Sequence, residues 1–166
     1  ELLAAAGLPP SFNIIHRYNR LAGIVPLFVC PALAPVALQV GDRALAALLV
    51  STAAATAGFL VWNYPRGMLF AGDGGAYVWG VVIAMASISL VQRNTDVSPW
   101  FPMLLLIYPV WETVFSIYRK AVRGVSPGVA DALHFHQLIY RRIVRGVFHD
   151  DESRRVLMRN NRTSPY

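Results

Sequence analysis

ALAALLVSTAAATAGFLVW, residues 44–62, carries no charged side chain from end to end. A helix needs ~20 apolar residues to cross ~30 Å of hydrocarbon, and this run has that length. Three runs of the same character flank it: Leu21–Val40, Ala76–Val91 and Pro99–Tyr118. One such run could be the core helix of a soluble protein. Four in succession with short polar connectors predict an all-α, polytopic membrane protein with four transmembrane helices. Composition agrees. The 166 residues are 55% hydrophobic and 14% charged, with a mean hydropathy of +0.45, whereas soluble domains carry about a quarter charged residues. Cys30 stands alone inside an apolar run, so it offers neither a disulfide nor a thiolate metal site.

Four crossings place both termini on one side, and the basic residues choose which. Of the 15 Lys and Arg residues only Arg43 and Arg93 fall on the opposite face. Arg17, Arg20, Arg66, Arg119, Lys120 and Arg123 share the other face with the basic residues of 141–162. By the positive-inside rule both ends are expected to be cytoplasmic. The net charge of +6 is then chiefly a topology signal. No base-reading or aromatic motif accompanies it, which argues against a nucleic-acid partner. Pro26, Pro31 and Pro35 predict a kinked first crossing that packs on its neighbours. In the fourth, Trp100 is expected near the outer interface. Glu112, an intramembrane acid, must face the bundle or water, either as a packing partner or in a direct catalytic role.

Three polar stretches meet on the cytoplasmic surface: FNIIHRYNR (12–20), WNYPRGMLFAGDGG (62–75) and RGVSPGVADALHFHQLIYRR (123–142). In the second, a turn at Asn63, Pro65, Arg66 and Gly67 leaves one crossing, and Gly72-Asp73-Gly74-Gly75 opens the next. Glycines allow close approach and positive φ, and amides at a helix start attract anions. An Asp there would repel a phosphate unless a cation lay between them. Mg²⁺ takes one or two carboxylates and completes its shell with phosphate oxygens. Asp73 is thus either a metal anchor for a diphosphate or an ordinary helix N-cap. Arg66 is either a phosphate contact or a topology-setting charge. His134 and His136 could serve one ligand if HFH is not regular helix; otherwise they belong to the faces of an amphipathic surface helix marked by Phe135, Leu138, Ile139, Ile143 and Val147. The tail HDDESRRVLMRNNRTSPY (149–166) has no apolar period and is expected to be a mobile cytoplasmic segment.

GFLVWNYPRGMLFAGDGGAYVWG (58–80) resembles the segment G-F-L-x-x-N-x-P-x-x-x-F-x-G-D-x-G-S/A of the polyprenyl-phosphate N-acetylhexosamine-1-phosphate transferases. This superfamily includes phospho-N-acetylmuramoyl-pentapeptide transferase and the enzymes initiating enterobacterial common antigen and O-antigen. YPVWETVFSIYRKAVRGVSPGVADALHFHQLIYRR (108–142) is similar to the family's P-x-x-[DE]-T, basic pair, S-P and D-x-x-H-x-H. FNIIHRYNRLAG (12–23) sits where the family has N-x-x-D-G-x-[DN]-G-L-A. The wording is closest to the O-antigen, lipopolysaccharide-building branch.

The resemblance implies transfer of a sugar-1-phosphate from a UDP-N-acetylhexosamine to a polyprenyl phosphate such as undecaprenyl phosphate, releasing UMP. The setting would be the cytoplasmic face of a bacterial inner membrane. It assigns a metal, Mg²⁺ or Mn²⁺, to Asp73, and catalytic roles to Asp73, His134 and His136. Substrate binding falls to Asn13, Asn63, Arg66, Gly72, Gly74 and Gly75 with the two histidines, and a homodimer is left open. The chain departs from the family where His16-Arg17 replaces Asp-Gly and Arg20 replaces a glycine. It begins at Glu1 without the family's upstream Asp-Asp pair, so it is expected to be the C-terminal half of such an enzyme, not active alone. Its parts would be a transmembrane half (1–118), a His-containing loop and surface helix (119–148), and the tail. The competing readings are a non-catalytic homologue that binds nucleotide sugar or lipid or assists assembly, and a small transporter or channel.

Overall fold

The computed structural model describes residues 2–15, 21–64 and 68–124. All regular structure among them is helical: α1 (Leu2–Ile15), α2 (Leu21–Gln39), α3 (Arg43–Asn63), α4 (Gly72–Arg93), α5 (Trp100–Leu105) and α6 (Ile107–Val122). The all-α expectation holds. Among the described residues two helices, α3 and α4, are long and apolar enough to cross a membrane, and α2 offers a shorter apolar helix from Gly23 to Gln39.

The expected fourth crossing is divided. The break falls at Leu106, with φ −98° and ψ 14°, between α5 and α6. Pro109 explains it: proline has no N–H to give the carbonyl four residues back, and its ring crowds that carbonyl, here Leu105. The three prolines of α2, by contrast, sit within one continuous helix. That helix packs along α3 so closely that a Cβ on Gly23 would lie 2.8 Å from Leu60 Cδ2.

An unexpected helix, α1, occupies the start of the chain and contains Pro9 and Pro10. It is held by tertiary contact. Leu8 and Phe12 are buried, and a Cβ on Gly80 of α4 would sit 2.5 Å from Pro9 Cα. Small residues let helix backbones approach this closely where lipid removes any hydrophobic drive between helices. Asn13 of α1 meets Tyr77 of α4, so the pairs 9–80 and 13–77 make α1 and α4 antiparallel.

Helix α4 packs against α1, α2 and α3. Ala76, Trp79, Ile83, Ala84, Ala86 and Leu90 are buried, and the Trp79 indole donates to Thr56 Oγ1 of α3 at 2.9 Å. Large apolar side chains also cover the outside, among them Phe28, Leu48, Val61, Val78, Val81 and Met85. Apolar residues on every side mark helices surrounded by protein or lipid.

The helix ends gather into two poles. One holds the end of α1, the start of α2, the end of α3 and the start of α4. The other holds the α2–α3 turn and the end of α4, where Arg93 Nη1 bonds Asp42 Oδ2 at 3.1 Å. α5 begins near this second pole, and its Trp100 is exposed as an interfacial aromatic would be. α6 returns along α1, reaching Ser11 with Thr113. Arg119, Lys120 and Arg123 lie further on, towards the first pole.

Candidate functional site

The link from α3 to α4 shapes the first pole. Asn63 is buried in the last turn of α3, and its amide nitrogen donates to the Leu69 carbonyl at 2.8 Å. Met68 N–H bonds the Trp62 carbonyl at 3.1 Å. These two bonds tie Met68 and Leu69 to the end of α3, ahead of Gly72, whose φ of +62° only glycine adopts cheaply. There α4 begins.

Asp73 is the second residue of α4 and is exposed. It is not the N-cap. That position is Ala71, whose methyl side chain makes no capping bond. The carboxylate instead sits in the first turn, where the helix dipole favours negative charge. Gly74 is exposed, and a Cβ at Gly72 or Gly74 would meet nothing within 4 Å, so both leave room beside the carboxylate. Gly75 differs: its Cβ would lie 2.8 Å from Ala71 Cβ, which makes it a packing glycine at the mouth of the helix.

Asn13 arrives from α1. Its amide nitrogen donates to the Tyr77 hydroxyl at 3.3 Å, and Tyr77 lies one helical turn beyond Asp73 on the same face of α4. The structure therefore brings Asn13 to Tyr77, one turn along α4 from Asp73, while Asn63 ties Leu69 to the end of α3. Tyr77 carries no motif signal; only its spacing of four from Asp73 could have pointed to it. Arg66, His134, His136, the amphipathic helix, the tail and the departures at His16, Arg17 and Arg20 lie outside the described residues.

A second polar group sits deeper, between α1 and α6. The Thr113 hydroxyl donates to Ser11 Oγ at 2.7 Å, and Ser11 donates on to the Gly7 carbonyl at 2.6 Å. Glu112 and Ser116 are buried on the same helix. Glu112 is thus an interior group of the helix packing. Nearer the basic end of α6, Trp111 stacks on Phe115 at 6.4 Å, and the Arg119 guanidinium lies 5.4 Å from the Phe115 ring.

The donor set bears on a metal. Among the described residues no group of three or more His, Cys, Asp or Glu side chains comes together. A closed protein cage is therefore not formed by these residues. One exposed carboxylate with open space beside it does fit Mg²⁺, which keeps most of its shell for water and substrate phosphates.

A model of glycosyl transferase family 4 matches residues 2–91, and the chain belongs to that family. Among curated relatives it is similar to an undecaprenyl-phosphate alpha-N-acetylglucosaminyl 1-phosphate transferase of Thermotoga maritima, 28% identical over 82% of the chain and 41% of that protein. A probable undecaprenyl-phosphate N-acetylglucosaminyl 1-phosphate transferase of Bacillus subtilis is 27% identical over 81% of the chain and 38% of its own length. The Escherichia coli K12 undecaprenyl-phosphate alpha-N-acetylglucosaminyl 1-phosphate transferase is 25% identical over 79% and 37%. The chain thus spans well under half the length of these relatives. No solved structure matches it.

Proposed function

We propose that the chain is part of an enzyme that transfers an N-acetylhexosamine 1-phosphate from its UDP-sugar to a polyprenyl phosphate at the cytoplasmic face of a bacterial inner membrane. A phosphate oxygen of the lipid bonds to the sugar-linked phosphorus. The bond from that phosphorus to the oxygen of the uridine-bearing phosphate breaks, and UMP leaves with the electron pair. Phosphoryl transfer asks the protein mainly for position and charge neutralisation. Mg²⁺ would supply Lewis-acid polarisation and a clamp on the phosphate oxygens. Asp73 would hold it, while Gly72 and Gly74 leave the substrate space to approach. Asn63 acts one step removed, fixing the loop that presents Asp73. In this reading His134, His136 and Arg66 face the diphosphate, four crossings span the bilayer, and the pole bearing Asp73 and the α6 cations lies inside. Assembly of O-antigen or a related envelope polymer would use the product.

The observation that carries this reading is the exposed carboxylate of Asp73 in the opening turn of α4, behind a positive-φ glycine, inside the region matched by the family. The test uses the full-length protein with UDP-N-acetylglucosamine, undecaprenyl phosphate and Mg²⁺, measuring UMP release. Asp73→Asn is expected to lower turnover by at least about 100-fold, with a stability loss of no more than roughly 0.3–1 kcal/mol. Equal UMP release by the variant and its parent would overturn the reading. No activity in either, restored by His16→Asp with Arg17→Gly, would identify a transferase disabled by its own departures from the family.

A further inference from the structure

We propose that Tyr77 is a substrate-contacting residue: its hydroxyl, oriented by the Asn13 amide, donates a hydrogen bond to a phosphate oxygen at the opening turn of α4. This rests on the transferase reading above and adds a residue that no motif contains.

Four features carry it. Tyr77 is 41% exposed, so the residue is not consumed by the core. It follows Asp73 by four residues, which puts the two Cβ atoms roughly 5–6 Å apart on one face. Helical side chains tilt towards the N-terminus. That tilt carries a residue at position 77 towards the turn that bears Asp73, where a Cβ on Gly74 would meet nothing within 4 Å.

The fourth feature is chemical. In the bond with Asn13 the phenol oxygen is the acceptor, with Asn13 Nδ2 donating at 3.3 Å. A phenol that accepts from an amide keeps its own O–H to donate, and the incoming bond polarises that O–H and strengthens it as a donor. A phosphate oxygen beside a carboxylate needs such donors, because the two anions repel. Asn13 is then a positioning residue for the Tyr77 hydroxyl across the α1–α4 interface. An aromatic anchor at the membrane surface would need only the ring.

Both substrates carry phosphate oxygens, so the experiment has two arms. In the full-length protein, Tyr77→Phe removes the hydroxyl and keeps the ring. The dissociation constant for UDP-N-acetylglucosamine with Mg²⁺ reads one arm, and KM for undecaprenyl phosphate reads the other. One of the two is expected to weaken about tenfold, the effect of one hydrogen bond to a charged group. The melting temperature should stay unchanged. Asn13→Ala should weaken the same constant, and the double variant should be no worse than the larger single change, because the pair acts as one unit. Both constants within twofold of the parent, while Asp73→Asn still abolishes turnover, would overturn this proposal and leave the transferase reading standing. A Tyr77→Phe variant that only loses folded yield would also overturn it. If Asp73→Asn is silent as well, the transferase reading itself falls.

Discussion

The two poles of the helix bundle use the same pair of residue types, glycine beside aspartate, to opposite ends. At the α2–α3 turn, Gly41 adopts a φ of +83° and Asp42 follows it. Every described bond of Asp42 turns inward: one carboxylate oxygen caps α3 by accepting from Leu45 N–H at 3.0 Å, and the other pairs with Arg93. At the opposite pole Gly72 adopts a φ of +62° and Asp73 follows it, but here the aspartate is inside the helix, exposed, and leaves the cap to Ala71. The first aspartate closes a corner. The second is presented on an open one, beside glycines that leave space. The first aspartate is used as a cap and ion-pair partner, whereas the second lies exposed in the first turn of α4, where the helix dipole favours its charge.

The comparison breaks most visibly if the two aspartates are exchanged in effect. Asp73→Asn should cut UMP release at least about 100-fold in the full-length protein, and lower stability by no more than the roughly 0.3–1 kcal/mol of a first-turn charge. Asp42→Ala should do the reverse. It loses the cap on α3 and the partner of Arg93, so about 1–2 kcal/mol of stability should go, read as a lower unfolding midpoint in detergent. Turnover of the surviving folded protein should be unchanged. A stability loss from Asp73→Asn as large as that from Asp42→Ala, or a catalytic loss from Asp42→Ala, would erase the distinction.

Which of this was legible in the sequence depends on whether the signal was local. Residues 44–62 gave α3 nearly to the residue, because an uncharged run of that length has few alternatives. The run at Ala76–Val91 gave the body of α4, and the glycines before it open the helix as the sequence suggested, with tertiary packing at Ala76 and Gly80 offsetting the cost of Gly74 and Gly75. The family motifs pointed to Asp73 and Asn13, but the N-cap alternative stayed open until the cap fell on Ala71. α1 was missed. Pro9-Pro10 reads locally as a helix breaker, whereas the close seat of Pro9 on Gly80 is a contact between residues far apart in the chain. The split at Leu106 was missed for the converse reason, since an apolar count does not register the donor that Pro109 lacks. Tyr77 depends on a partner 64 positions away, at Asn13, and no local pattern holds that.

The glycines offer a finer test of the two poles. Both have positive φ, and at both a Cβ would meet nothing within 4 Å. Alanine at either position should therefore cost only backbone strain, roughly 1–2 kcal/mol, with no steric clash added. The stability losses should match within error. Only Gly72→Ala should also slow the enzyme, because its strain relaxes at the turn that aims Asp73. Equal turnover in the two variants would mean that the opening turn of α4 tolerates rotation, and the aim of Asp73 would cease to matter.

The smallest effect belongs to Arg93. Its side chain is 66% exposed and that of Asp42 is 16% exposed, and exposed pairs are worth about 0–1 kcal/mol. Arg93→Gln should thus lower the unfolding midpoint slightly at low salt, and the difference should vanish near 1 M salt, where charges are screened within ~3 Å. The loss from Asp42→Ala should persist at that salt, because the bond to Leu45 N–H is short-range and survives screening. The two variants then separate cap from ion pair. A deficit in Arg93→Gln that stays constant with salt would mean that this corner is held by packing of the Arg93 stem rather than by its charge, and the inward-turned aspartate would owe its place to the cap alone.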